Sequence, residues 1–142
     1  MHGVAEAGFI PAMASAPESV GFTEQETATT LCRAIGGMAL VSASVTKAEW
    51  GAVQVVPYKA HLAVDVVTSL FTLAAPWLFG FARGGAETWV FVAQGALSIL
   101  YSLLTKYELG VFRILSMRVH LVLDLAASLF LAFSPWLFAV FR

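Results

Sequence analysis

His61–Phe79 reads HLAVDVVTSLFTLAAPWLF, and His120–Phe138 reads HLVLDLAASLFLAFSPWLF. The two stretches lie 59 residues apart, and the same shift aligns the chain without a gap well beyond them. Thr46-Lys47, Glu49 and Gly51 return as Thr105-Lys106, Glu108 and Gly110, and Thr29, Ala34, Gly36 and Arg83 return as Thr88, Ala93, Gly95 and Arg142. In all, 18 positions are identical between 28–83 and 87–142. A period this long marks two copies of one structural unit.

Composition puts the unit in a membrane. Of 142 residues, 59% are hydrophobic and 12% charged, about half the charged share of a soluble domain, which is roughly 25%. Residues 62–82 carry one charge, Asp65; residues 88–105 carry none; residues 119–141 carry Asp124 beside His120. Runs of this length suit the ~20 residues that cross ~30 Å of hydrocarbon. The weaker stretch 34–46 is read as a span because it aligns with 93–105. A net charge of −1 offers no basic surface to phosphates, so no nucleic-acid partner is expected. Cys32 stands alone, which excludes an internal disulfide and fits a small apolar membrane residue.

Each unit reads helix, connection, helix. The first helices are expected near 30–46 and 88–105, and the second near 58–82 and 118–141. An even number of spans per unit gives both copies one orientation, as in parallel repeats. The expected fold is therefore all-α: a four-helix transmembrane bundle of two parallel two-helix repeats, 29–83 and 87–142. Residues 1–28 hold Glu6, Glu18, Glu24 and Glu26 but no Lys or Arg, with Pro11 and Pro17. They are expected to form an acidic tail outside the repeats, flexible or docked on a partner, with a short helix at 23–30. The connections 47–59 and 106–118 mix apolar and charged residues, as interfacial segments do. They hold five basic residues against Arg33, Arg83 and Arg142 on the other side. The positive-inside rule then places the connections in the cytoplasm and both termini outside.

The Pro-Trp pair near the end of each second helix carries a resemblance. Ser134-Pro135-Trp136, with Ala75-Pro76-Trp77 departing at one position, resembles the motif of the SPW-repeat family of small prokaryotic membrane proteins. The resemblance covers about 28–142. It implies a two-helix membrane repeat and a location in the prokaryotic inner membrane, and it implies no activity. Read physically, Pro76 and Pro135 each remove one helical hydrogen bond. Trp77 and Trp136 suit the headgroup level. The pair is expected to be structural.

The remaining candidate chemistry is a repeated pair. His61 and Asp65 are four residues apart, as are His120 and Asp124, so each pair shares a helix face. Ser69 and Ser128 continue the two stripes. Parallel copies put both pairs at one depth, near the connection end. The pairs are expected to be structural bonds or, alternatively, a ligand site for a haem or another metal, since imidazole is a common ligand that a carboxylate orients. A proton or ion path is the third reading. No phosphate-binding loop, nucleophile elbow or zinc-protease helix occurs, so no enzyme is expected. The expected function is a non-enzymatic membrane protein acting by association, as an accessory or scaffold subunit or a homo-oligomer. Its partners are then the lipid bilayer and other membrane subunits or a second copy. The alternative is a cofactor-binding or ion-conducting protein using the four His and Asp residues.

Overall fold

The computed structural model describes residues 2–47, 51–107 and 110–139; within its helices, the side chains of 2–5, 58, 132 and 134–139 lie outside that description. Among the described residues the fold is all-α, with α1 (His2–Val20), α2 (Glu26–Val45), α3 (Tyr58–Leu78), α4 (Ala86–Leu104) and α5 (Met117–Ala139). The first and second helices of the repeats are α2, α3, α4 and α5, close to their expected bounds. No strand forms among these residues; isolated bridges Thr46–Val56 and Thr105–Leu115 fold each connection back on the end of its helix.

Three helices are long and apolar enough to cross a membrane: α2, the Lys59–Leu78 stretch of α3, and α4. Their most apolar stretches are at most 28% buried inside the protein. Large apolar side chains such as Val41, Val67, Trp77, Leu78, Trp89 and Leu100 point outward, whereas His61, Thr46, Thr105 and Ser128 are buried. A water-soluble bundle shows the opposite distribution. In lipid, the outward apolar face carries no cost and polar groups turn toward the interior.

The packing departs from two tight hairpins. The two helices joined by each connection, α2 with α3 and α4 with α5, scarcely touch. The extensive contacts run between α3 and α4 and from α1 to both α2 and α5. Small residues permit the closest of these approaches. A Cβ on Gly95 would stand 2.5 Å from the Leu73 nitrogen, so α4 lies against the backbone of α3. Gly36 does the same for α1, where a Cβ would meet the Ile10 carbonyl oxygen at 3.1 Å.

Two expectations are corrected. The segment read as an acidic tail is mostly α1, with Ala12, Met13, Ala16 and Pro17 buried; no helix spans 23–30, since α2 begins at Glu26. The N-terminus does not share the end opposite the connections. Glu6 touches His61 near the connection end, while Glu18 pairs with Arg33 at the far end (2.6 Å). Helix α1 therefore runs the length of the bundle and starts beside the connections. The Glu18 carboxyl is held below its usual range by its own backbone N–H and then by Arg33. That clasp acts above the ordinary carboxylate range and is lost as pH falls through the lowered value. Being half-exposed, it contributes little.

Gly95→Val should destabilise the α3–α4 contact by about 1–3 kcal/mol, the usual cost of overpacking. Gly37→Val, at a glycine with open space around it, should be near neutral. Reversible unfolding in mixed micelles measures both.

Candidate functional site

His61 lies in the first turn of α3, and its ring is one of the most buried polar groups in the chain, at 1% exposure. Its Nδ1 faces Thr46 Oγ1 (3.0 Å) and Ser42 Oγ (2.9 Å), both from the end of α2. Its Nε2 faces Glu6 Oε1 of α1 (3.0 Å) and Asp65 Oδ2 one turn on (3.3 Å). The second copy repeats the arrangement. His120 Nδ1 faces Thr105 Oγ1 (2.7 Å), and Nε2 faces Asp124 Oδ2 (3.0 Å). Tyr101, which stands where the first copy has Ser42, sets its ring edge-on to the His120 imidazole, with centroids 6.1 Å apart.

Hydrogen-bond direction constrains where the protons are. Thr46 Oγ1 donates to the Ser42 carbonyl and Thr105 Oγ1 to the Tyr101 carbonyl, each at 2.6 Å. A hydroxyl has one proton to give, so each threonine oxygen is placed to accept from an Nδ1 that carries its proton, as in the tautomer with Nδ1–H, while at His61 the Ser42 hydroxyl also faces Nδ1. The other nitrogen then meets a carboxylate, and one exchangeable proton lies between ring and acid. Each pair is a threonine–imidazole–carboxyl chain that spans two helices.

Both chains open into one cavity of about 150 Å³. Its walls include Glu6, His61, Asp65, His120 and Asp124, the hydroxyls of Ser42, Ser98, Ser102 and Ser128, and Gln94. At the connection end it reaches Tyr107 and Met117. Toward the opposite end the interior closes on an apolar cluster that includes Met13, Cys32, Ile35, Ala75, Phe81 and Phe91. The His–acid pairs and the hydroxyls thus share the cavity with apolar side chains, and the apolar core cluster lies apart from them.

All four expected site residues therefore come together around one space. A haem or a transition-metal ion would have to displace partners that the imidazoles already have. Both nitrogens of each imidazole already face partners, and among the described residues no group of three or more His, Cys, Asp and Glu is arranged to hold a metal ion. The Pro-Trp pair takes no part in the cavity: Pro76 is buried within α3 while Trp77 is exposed. The side chains of Pro135 and Trp136 lie outside the described residues. Glu6 was missed by the sequence reading. The signal that would have found it is the 59-residue shift carried back to the N-terminus, where His2 and Glu6 align with His61 and Asp65. From residue 27 backward only five positions match, too few to stand out in an Ala-rich stretch.

Thr105→Val leaves the His120 Nδ1 without its acceptor, and a buried unpaired donor costs about 1–3 kcal/mol. In a His120→Gln background the same change should cost much less, because the two residues act through one bond. A double-mutant cycle on micellar unfolding checks this. No family model, curated protein or solved structure matches this chain.

Proposed function

We propose that this chain is an integral membrane protein that takes a small monovalent cation into the cavity from the connection side, releasing a proton in exchange. The observation that carries the reading is the convergence of both His–acid pairs, with Glu6, on one cavity inside an outwardly apolar bundle. Ionisable groups inside a membrane bundle are costly and rarely kept without a function. Three carboxyl groups outnumber two imidazoles there, which favours a positive guest. A cavity of about 150 Å³ has room for several waters or a small organic cation, more than a bare ion fills.

The exchange follows from the bonds. A cation that draws the Asp65 or Asp124 carboxylate away competes with the imidazole N–H for the same oxygens. Once the carboxylate is neutralised by the cation, the ring loses the charge that held its second proton and can give that proton to water. The threonine acceptor keeps Nδ1 protonated and the ring in place throughout, so the proton that leaves is the one on Nε2. The apolar core cluster beyond the cavity supports binding over free conduction.

Association as a subunit uses the exposed apolar faces, and lipid covers the same faces equally well; the cavity is what distinguishes the readings. The parallel arrangement of the 59-residue repeats belongs to the same proposal, because it sets both pairs at one depth. So does the likeness to the SPW-repeat family, which concerns the scaffold and leaves the cavity's ligand open. A cytoplasmic mouth follows if the basic connections face the cytoplasm.

Purified protein in weakly buffered detergent should acidify the medium when sodium, potassium or methylammonium chloride is added, relative to N-methylglucamine chloride at equal ionic strength. About one proton per bound cation is expected, as for other sites whose ligands must deprotonate. The Asp65→Asn/Asp124→Asn variant should release none. Absence of release with every salt between about pH 6 and 8, the range in which imidazole exchanges protons, would falsify the proposal.

A further inference from the structure

The turn after α1 is built like the turn after α3. Gly21 (φ +83°) and Gly80 (φ +74°) each end their helix in the left-handed region, where glycine is favoured. Phe22 N–H donates to the Pro17 carbonyl and Phe81 N–H to the Pro76 carbonyl, both at 2.9 Å. Thr29 Oγ1 donates to the Phe22 carbonyl and Thr88 Oγ1 to that of Phe81. Burial matches as well: Phe22 and Phe81 are alike, and so are Ala16 with Ala75 and Pro17 with Pro76. Each of these correspondences is a shift of 59.

The helix contacts obey the same shift. Gly36 of α2 lies against Ala14 of α1, and Gly95 of α4 lies against Leu73 of α3. Ala14 and Leu73 are themselves 59 apart. The hairpin α1–α2 and the hairpin α3–α4 therefore share their sequence register, their closing turn and a close glycine-to-backbone contact. Loops or packing alone could match by chance at one point; a common register through turn, burial and interface is the mark of a repeat.

We infer that α1 is a third copy of the repeated helix, and that Glu6 is the third carboxylate of the cation site, delivered onto His61 from outside the two evident repeats. In α3 and α5 the acid serves the imidazole one turn before it on the same helix. Glu6, in the position of Asp65 and Asp124, instead crosses to the ring of another helix. The longer glutamate side chain gives it that reach. The outcome is an unequal pair of centres: His61 is in direct contact with two carboxyl groups, and His120 with one. The role of Glu6 in cation binding rests on the function proposed above, whereas its bond to His61 stands on geometry alone.

The full chain, with isotope-labelled histidine in lipid nanodiscs, supplies the test. Glu6→Gln should move the ring-nitrogen resonances of His61 and leave those of His120 in place. The same variant should weaken methylammonium binding by about tenfold, equivalent to one lost charge-assisted hydrogen bond. Glu18→Gln, on the same helix at the opposite end, should change neither. Should Glu6→Gln fail to fold, Glu6→Asp keeps the charge, shortens the reach and should produce the same shift confined to His61. A His61 ring that ignores both substitutions overturns the inference. If the wild-type protein binds no methylammonium, the cation site is lost while the ring shifts still decide whether Glu6 serves His61.

Discussion

The bond between a threonine hydroxyl at the end of one helix and an imidazole near the start of the next is the constraint on which the remaining architecture depends. Thr46 holds His61 and Thr105 holds His120 at the same spacing of 15 residues. Elsewhere the tied helices hardly meet. Each repeat is thus a pair of helices joined at one end and parted along the rest. The gap is what allows α1 to pack between α2 and α5, and what leaves an open volume beside both imidazoles. A tight hairpin of the usual kind would have closed the cavity with side chains. The tie also disposes of polar groups that lipid would not tolerate: the threonine satisfies a helix-end carbonyl and the imidazole with a single hydroxyl.

Much of this was legible in the sequence because the physics was local. Helix bounds followed from apolar length and from the polar connections, and came within a few residues for α2 through α5. The spacing of each His–acid pair on one helix face followed from the repeat. The end of α3 at Leu78, ahead of the expected position, has a local cause in Gly80, whose positive φ stops the helix. Convergence of the pairs on one cavity depends on how α3 and α5 face each other, and nothing in either helix alone fixes that.

What was not legible was α1, and the reason is also physical. Hydropathy recognises helices that lipid surrounds. Helix α1 packs against α2 and α5 through Ala12, Met13, Ala16 and Pro17, so it can carry Glu6 and Glu18, two prolines and a run of alanines. Its small residues are a packing feature, which no window of apolar content reports. The acids that made the segment resemble a tail are the groups that fasten it, Glu6 to His61 at one end and Glu18 to Arg33 at the other. Misplacing α1 misplaced the N-terminus as well, because one additional traverse of the bundle reverses the end at which the chain begins.

The apolar core cluster lies apart from the polar groups of the site. Met13, Ile35, Ala75 and Phe91 come from four different helices, so the cluster is a property of the assembled bundle. Water and ions meet it as a dry barrier, and a charge crossing it would lose the hydroxyls and carboxylates that hold it in the cavity. Passage from the cavity to the other side would require a charge to cross this apolar cluster or the helices to part there. Two chemically similar centres share this cavity, but the extra carboxyl on His61 breaks their equivalence. Duplication supplies two imidazole–carboxyl pairs; the added helix brings a further carboxyl group into contact with one of them.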